Sequence, residues 1–206
     1  MTIQTTCTRT QPGDIAHAAH VLRDGGTVAF PTDTVYGVGA HAFLPQAVEK
    51  LYVAKIRPRD KAIPLLIAGT DVLPQVAASI PGIAYELAAR FWPGALTLVL
   101  PRTARIADVI TAGGDTVAVR APDHPLVQAL LAELDAPLAA TSANLSGRPA
   151  PATAQEVLAQ LDGRIDLLLD GGTCPGGVAS TVLDLTASPP RVLRAGPLLP
   201  ALDPWL

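Results

Sequence analysis

The spacing of hydrophobic residues along the chain changes repeatedly between the period of a helix and that of a strand. Leu126, Leu130 and Leu134, for example, recur at intervals that place them on one face of an α-helix. The same criterion, with capping residues and Gly or Pro stops, predicts helices over residues 14–24, 45–54, 81–91, 124–135 and 153–161. Each helix then has an apolar side available to cover a sheet.

Two of these helices have a specific start signal. Asp14 is expected to cap the first helix, which Gly25 and Gly26 then end. Thr153 and Glu156 form a Thr-x-x-Glu capping box at the start of the last helix, in which each side chain accepts from a backbone amide of the other residue.

Short runs rich in Val, Leu and Ile predict the strands. These runs cover residues 27–30, 63–67, 96–100, 116–120, 137–140, 166–169, 180–185 and 191–194. Pro64 has no amide hydrogen, so we expect its strand to lie near a sheet edge. Because helices and strands are interspersed without strict alternation, the pattern predicts an α/β protein with a mixed sheet.

The composition indicates a folded protein in a reducing compartment. With 49% hydrophobic and 16% charged residues, the 206-residue chain can bury a sizeable core. No apolar run approaches the roughly 18 residues that span a bilayer, and the N-terminus lacks the apolar core of a signal peptide. Cys7 and Cys174 are the only cysteines, and their separation predicts neither a disulfide framework nor a metal knuckle. We therefore expect a cytoplasmic location and no membrane contact.

Positive charge is concentrated in one segment. Lys50, Lys55 and Lys61, which are all the lysines, lie within one short stretch together with Arg57 and Arg59. On a chain of net charge -3, this cluster indicates a local anionic ligand. Lysine offers a mobile point charge and arginine a planar fork, and both suit phosphate. From the cluster alone, a solvated basic loop is the alternative.

Two further segments place short polar side chains after predicted strands. Thr32 and Thr34 follow the strand of residues 27–30, which Pro31 terminates, and such strand ends are where α/β sheets commonly hold ligands. Ser142 and Asn144 alternate after another strand and would project to the same side of an extended chain. A structural turn or helix cap is the alternative for both segments.

The remaining motifs mainly exclude chemistry. The glycine-rich stretch 170–180 lets backbone amides approach an anion, but it is neither a P-loop nor a Rossmann fingerprint. The histidines have no metal-site spacing, and no Gly-x-Ser-x-Gly elbow is present. Hydroxyls, amides and cations without a clear nucleophile favour chemistry by positioning and charge neutralisation.

Taken together, these segments resemble the YrdC-like family of threonylcarbamoyl-AMP synthases over roughly residues 12–200. The family's K-x-R…S-x-N signature corresponds to Lys55, Arg57, Ser142 and Asn144, and its P-T-(D/E)-T-V-Y-G-L-G-A stretch to residues 31–40. Further matches are residues 92–94, 115–120, 170–172, 180–181 and 194–197.

The resemblance implies a twisted mixed sheet, flanked by helices, around a positively lined concave cavity. It is to the short form of the family, so residues 1–206 are expected to form a single domain. It implies a nucleotidyltransferase that converts L-threonine, bicarbonate and ATP into threonylcarbamoyl-AMP and pyrophosphate. The product would serve N6-threonylcarbamoyladenosine modification of tRNA through a downstream threonylcarbamoyl-transferase complex, and a contact with tRNA or double-stranded RNA is also implied.

The resemblance also implies roles for individual residues. The catalytic signature would be Lys55, Arg57, Ser142 and Asn144. ATP would be bound by Arg57, Lys61, Thr116, Ser142, Ala150 and Arg194. Threonine would be bound by Thr34, Arg120, Ala140 and Ser180. Mg²⁺ would be held through the ATP phosphates, without a metal site made by the protein.

The chain has Val38 in place of the leucine of the motif and departs from the family at two further positions, and two other functions are alternatives. Ala179 stands where many relatives have glutamate, and Ala68 stands near a histidine of the long form. A double-stranded RNA or tRNA-binding module would use the same basic concavity, although no aromatic stacking platform is visible. A carbamoyl-transfer domain of hydrogenase-maturation proteins would be expected beside acylphosphatase and zinc-finger segments, which this chain lacks.

Overall fold

One mixed sheet organises the molecule. The computed structural model describes residues 4–9, 11–175, 177 and 179–206. The strands are β1 (Thr6–Arg9), β2 (Thr27–Phe30), β3 (Gly37–His41), β4 (Leu65–Leu66), β5 (Leu96–Pro101), β6 (Thr116–Arg120), β7 (Leu138–Ser142), β8 (Leu167–Asp170), β9 (Thr181–Asp184) and β10 (Arg191–Arg194). They form a sheet in the order β1-β8-β2-β3-β7-β4-β6-β5-β9-β10. Parallel pairs such as β2–β8 occur beside antiparallel pairs such as β3–β7, so the predicted mixed α/β sheet is confirmed.

Helices cover both faces of this sheet. They are α1 (Pro12–Arg23), α2 (Pro45–Lys55), α3 (Leu73–Val76), α4 (Gly82–Phe91), α5 (Asp108–Thr111), α6 (Pro125–Leu134) and α7 (Ala154–Leu161), with short 3₁₀ turns at Thr70–Val72, Leu199–Ala201 and Asp203–Trp205. In the described part of the chain, no helix has the length and apolar character needed to cross a membrane.

The core divides into two layers because consecutive strand residues point to opposite faces. Val28 and Phe30 of β2 pack with the apolar sides of α1 and α6, whereas Ala29 between them joins the cluster that includes residues of α2 and α4. Leu167, Leu168 and Leu169 divide between the two clusters in the same way. A sheet buried on both faces needs apolar residues at every position, which explains the continuous apolar runs in the sequence.

Strand β3 was not predicted, although it lies in the middle of the sheet between β2 and β7. Its sequence contains Gly37 and Gly39, which have weak strand propensity. The ring of Phe30 lies against both glycines. A Cβ at Gly37 would lie 3.0 Å from Phe30 Cε2, and one at Gly39 would lie 3.2 Å from Cε1. The glycines therefore make room for an aromatic ring, and this packing was not visible in the local pattern.

The prediction that Pro64 lies near a sheet edge is wrong. The strand that follows it, β4, contains only Leu65 and Leu66 and lies inside the sheet between β7 and β6. Pro64 precedes this strand, and its carbonyl accepts from the Ala140 amide at 3.0 Å. The missing amide hydrogen of proline therefore costs the sheet no pairing.

Only one of the two predicted helix starts is confirmed. Helix α1 begins at Pro12 with Gln11 as its N-cap, so the prediction that Asp14 caps it is wrong. Asp14 is the third helical residue, and its Oδ2 accepts from the Gln11 amide at 3.1 Å. The helix begins earlier in the sequence than predicted, because the fixed φ of a proline such as Pro12 suits the first turn of a helix. The capping box of Thr153 and Glu156 is confirmed, with amide-to-oxygen distances of 3.2 and 3.3 Å.

Candidate active site

A cavity of about 530 Å³ lies against the sheet where segments distant in the sequence meet. It brings together nine of the twelve residues that the sequence singled out, namely Thr34, Arg57, Thr116, Arg120, Ala140, Ser142, Ala150, Ser180 and Arg194. Lys55, Lys61 and Asn144 are not among the residues that line it. The order of the strands explains the convergence, since a single short strand, β4, lies between β6 and β7 in the sheet.

The ends of the strands deliver several of these side chains. Thr116 begins β6 and Arg120 ends it, so that one strand carries lining residues at both termini. Ser142 is the last residue of β7 and pairs with Gly37 of β3. The strand was predicted to end at Ala140, with Ser142 in the loop that follows. This prediction is wrong, because the strand continues for two more residues and includes Ser142. The regular backbone of the sheet thus sets where these side chains lie.

Three arginines make the cavity positive. Arg57, Arg120 and Arg194 line it, and none of its described lining residues carries a carboxylate. Arg57 donates from Nη2 to the Ala62 carbonyl at 2.8 Å. Arg194 donates from Nε to the Ser180 carbonyl at 2.9 Å and from Nη2 to Ser180 Oγ at 3.0 Å. These bonds hold the guanidinium groups in place while leaving other N–H donors for an anionic ligand.

Lys55 is buried behind the cavity. It is the last residue of α2, is 1% exposed, and its Nζ donates to the carbonyls of Ser142 and Asn144, the latter at 2.5 Å. Asn144 Oδ1 is a third acceptor, at 3.3 Å. Burial, with a smaller contribution from the charge of Arg57, lowers the pKa of Lys55 to about 7. Lys55 therefore ties the end of α2 to the end of β7.

Asn144 shapes the loop that leaves β7. Its Oδ1 accepts from Ser142 Oγ at 2.5 Å, and its Nδ2 donates to the carbonyls of Leu145 at 2.8 Å and Arg148 at 2.6 Å. All its side-chain groups are thus used inside the protein. Ser142 lines the cavity, so Lys55 and Asn144 together fix a residue that can reach a ligand.

The basic segment does not form one positive patch. Lys50 donates to the Gly25 carbonyl at 2.7 Å, and Arg59 forms an ion pair with Glu49. Lys61 is exposed, and of these five cations only Arg57 lines the cavity. The positive lining comes instead from arginines far apart in the sequence, which clustering along the chain could not reveal.

Thr97 is a lining residue that the sequence analysis missed. It is 4% exposed, and its Oγ1 lies 2.7 Å from Ser180 Oγ. Thr97, Ser180 and Arg194 thus form a continuous chain of hydrogen bonds. The available signal is a lone hydroxyl residue inside the otherwise apolar run of β5.

The departures at Ala179 and Ala68 lie in different places. Ala179 lines the cavity, whereas Ala68 lines a separate cleft of about 430 Å³ beside Trp92 and Pro93. In the glycine-rich stretch, residues 176 and 178 lie outside the described residues. The stretch reaches the cavity through Gly177 as well as Ala179. Position 179, where many relatives have glutamate and this chain has alanine, therefore lies in the cavity wall itself.

Comparison with known proteins gives a consistent result. A model of the Sua5–YciO–YrdC family, described as telomere recombination, matches residues 20–196. The threonylcarbamoyl-AMP synthase of Pyrococcus abyssi is 47% identical over 190 residues, which cover 92% of this chain and 56% of that protein. The threonylcarbamoyl-AMP synthase of Bacillus subtilis is 48% identical over 188 residues, which cover 91% of this chain and 54% of that protein. The chain thus spans about half the length of these curated relatives.

A solved structure extends the comparison to three dimensions. The crystal structure of P. abyssi Sua5 complexed with L-threonine superposes with a TM-score of 0.91 at 44% sequence identity. The match covers 98% of this chain and 60% of that chain. The similarity therefore includes the strands and loops that enclose the cavity.

Proposed function

Since the chain belongs to the Sua5–YciO–YrdC family, we propose that it is an L-threonylcarbamoyladenylate synthase. This nucleotidyltransferase forms threonylcarbamoyl-AMP and pyrophosphate from L-threonine, bicarbonate and ATP. The observation that carries the proposal is the convergence of three arginines and several hydroxyl groups on one cavity without a carboxylate among its described lining residues. The names of the similar proteins, including a structure complexed with L-threonine, support the choice of substrates.

The nucleotide is assigned to one part of the cavity. Arg57 and Arg194 present guanidinium forks that suit phosphate oxygens, and the hydroxyls of Thr116 and Ser142 can donate to the nucleotide. The backbone near Ala150 would contact it as well. Lys61 is exposed outside the lining, and it would have to turn towards the phosphates to contribute.

Threonine is assigned to the neighbouring part. Arg120 would bind the carboxylate, while Thr34, Ser180 and the Ala140 backbone would hold the rest of the amino acid. The hydrogen bonds from Arg194 to Ser180 join the two parts directly. Such proximity supports the proposal, because the threonine carbamate has to reach the α-phosphate of ATP.

The proposed chemistry needs two bond-forming steps. Bicarbonate loses hydroxide to give CO₂, and the neutral threonine amine forms an N–C bond with that CO₂. The proton that the amine loses combines with the hydroxide, so the step yields the carbamate and water. An oxygen of the resulting carbamate then attacks the α-phosphorus, and the P–O bond to pyrophosphate breaks. Both reactants are anions, so the main task of Arg57, Arg120 and Arg194 is to reduce their repulsion and orient them. Lys55 and Asn144 would act indirectly, by fixing Ser142.

Magnesium would enter with ATP. The described lining residues include no carboxylate, imidazole or thiol, and no cluster of three metal-ligating side chains occurs among the residues that the structure describes. These residues do not fit a metal held by the protein. We therefore propose that Mg²⁺ is coordinated by phosphate oxygens and water, as is common for this ion.

The biological setting follows from the proposed product. Threonylcarbamoyl-AMP would be passed to a downstream threonylcarbamoyl-transferase complex for modification of adenosine 37 of tRNA, in the cytoplasm, by a chain acting as a single domain of residues 1–206. A direct contact with tRNA is part of this proposal. The net charge of -3 favours a local anion site over a broad nucleic-acid surface, so such a contact would be confined to the positive cavity and its rim.

One assay tests the proposed function. Purified protein is incubated with ATP and Mg²⁺, and pyrophosphate is measured with threonine, with bicarbonate, with both and with neither. Release only when both are present, with the adenylate identified by mass spectrometry, is the expected result. Pyrophosphate release that ignores threonine would contradict the proposal. RNA binding without any such turnover would favour the RNA-binding alternative.

A further inference from the structure

Arg120 is held from two sides. Its side chain is 11% exposed, its Nε donates to the Gly94 carbonyl at 2.7 Å, and its Nη2 forms an ion pair with Asp33 Oδ2. A guanidinium carries five N–H donors, and no residue that the structure describes accepts from Nη1. The group therefore has a fixed orientation and unused donors at the cavity.

Asp33 lies behind this arginine rather than in the cavity. Its side chain is 17% exposed, and it is not among the lining residues. Its Oδ1 is buried and has no hydrogen-bond donor among the described residues. A carboxylate in such a place costs desolvation that the ion pair with Arg120 must offset. Its clearest role in the structure is thus the contact with Arg120.

The turn around Asp33 is itself fixed. Thr32 Oγ1 accepts from the amides of Thr34 at 3.1 Å and Val35 at 3.3 Å, and it donates to the Val35 carbonyl at 2.6 Å. These bonds span Asp33 on both sides. A carboxylate on so constrained a turn can orient a partner, but it has little freedom to leave when a ligand arrives.

We propose that Asp33 is a positioning residue for substrate recognition: it orients Arg120 so that the free donors of the guanidinium meet the carboxylate of the amino-acid substrate. This role rests on the proposed function, which assigns the threonine carboxylate to Arg120. The opposite role would be a competitor, in which Asp33 occupies Arg120 and threonine has to displace it. The fixed turn and the buried Oδ1 favour positioning.

Two variants with a matched control test this role. Asp33→Ala removes the partner of Arg120, whereas Asp33→Asn keeps an acceptor of the same size. Asp123→Asn is the control, because Asp123 is an exposed acid whose charge also acts on Arg120 without a hydrogen bond to it. Threonine affinity is measured by calorimetry, and the KM values for threonine and ATP by pyrophosphate release.

Asp33→Ala should weaken threonine binding about tenfold or more, because a charge-assisted bond is lost, while the KM for ATP changes little. Asp33→Asn should lose less threonine affinity than Asp33→Ala. Asp123→Asn should keep the threonine affinity and the KM values of the wild type. Thermal unfolding checks that the variants are folded, and if Asp33→Ala is not, Asp33→Asn alone should still weaken threonine binding while leaving ATP unaffected.

Three results would overturn the inference. Tighter threonine binding in either Asp33 variant would identify the carboxylate as a competitor. Equal losses for threonine and ATP would indicate a structural role, and wild-type values in both variants would indicate no role. Failure of the wild-type protein to bind threonine is a different result, because it would overturn the proposed function together with the role that depends on it.

Discussion

Lys55 and Arg120 are both buried cations beside the same cavity, but their partners differ. Lys55 is 1% exposed, and its acceptors among the described residues are all neutral oxygens, whereas Arg120, at 9% exposure of the whole residue, meets the carboxylate of Asp33 as well as a carbonyl. The three donors of a lysine ammonium match the three acceptors around Lys55. Arg120 retains donors. The first cation is thus used inside the protein, and the second can also serve a ligand.

The difference in partners has an energetic consequence. An ammonium surrounded by neutral oxygens gains hydrogen bonds but no counter-charge, and burial lowers the pKa of Lys55 to about 7. Burial also lowers the pKa of Arg120, but the adjacent carboxylate of Asp33 opposes that effect. A residue of the family signature can therefore act by building the site rather than by contacting the substrate.

The largest effect is expected for Lys55→Met. This substitution keeps the length of the side chain but leaves the carbonyls of Ser142 and Asn144 without their donor. We expect a loss of about 2–4 kcal/mol in the free energy of unfolding, as for buried acceptors that lose a partner. Urea denaturation measures it. Lys50→Met is the control, because Lys50 is on the same helix, is exposed and donates to one carbonyl.

The pH dependence of stability sharpens this test. In the unfolded chain Lys55 keeps its proton up to its ordinary pKa of 10.5, whereas in the folded protein it loses the proton near pH 7. Wild-type stability should therefore rise as the pH increases from about 7 towards 10.5, relative to Lys55→Met, because the unfolded state binds more protons there. Parallel pH profiles of the two proteins would contradict the lowered pKa.

Arg57→Ala should have the next largest effect, and it should act on catalysis rather than stability. Arg57 lines the cavity, whereas Arg59 in the same segment pairs with Glu49. Loss of a charge-assisted phosphate contact should lower kcat/KM for ATP by about 10- to 100-fold. Arg59→Ala should remain within about twofold of the wild type, since exposed ion pairs contribute little. Similar losses in both variants would restore the view of the segment as one basic patch.

Arg120→Lys tests the ligand-binding half of the comparison. Lysine cannot reproduce a planar fork, so the KM for threonine should rise about tenfold, with little change for ATP. Arg194→Lys should raise the KM for ATP about tenfold, with little change for threonine. Steady-state kinetics at saturating bicarbonate, with one substrate varied at a time, separates the two. An equal rise of the KM for both substrates in both variants would mean that the cavity has no separate threonine and nucleotide parts.

Thr97→Val should give the smallest effect. Valine is nearly the same size, and it removes only the hydroxyl that lies 2.7 Å from Ser180 Oγ. Because Ser180 also bonds Arg194, we expect the KM values for both substrates to rise by about two- to fivefold, the cost of one neutral hydrogen bond. Ser180→Ala in the same assay should exceed this. An effect on one substrate alone would place Thr97 in one part of the cavity only.

Much of the fold could be predicted because its signals are local. The helix with Leu126, Leu130 and Leu134, the buried run of β2 and the capping box at Thr153 all depend on neighbours within a few residues. Strand β3 could not be predicted, since its glycines fit against Phe30, a contact that depends on pairing with β2. Pro64 was misplaced for the same reason.

The site shows the same limit. The sequence indicated cations and hydroxyls, and nine of its residues meet in the cavity. It could not separate Lys55 from Arg57, which are two positions apart, because the burial of Lys55 depends on a contact with β7 that only Lys55 makes. Nor could it find the pair of Asp33 and Arg120, whose members are 87 residues apart in the sequence. Roles in such a site depend on contacts between distant segments.

Strand β10 has a consequence for how tightly a nucleotide could be held. It carries Arg194, pairs with β9 at the edge of the sheet, and its register shifts between Val192 and Arg194. An edge strand is paired with one neighbour rather than two, so fewer hydrogen bonds hold β10, and Arg194 with it, than hold a central strand. Amide hydrogen exchange in β10 should then slow when ATP binds, and part of the binding energy would be spent on ordering that strand.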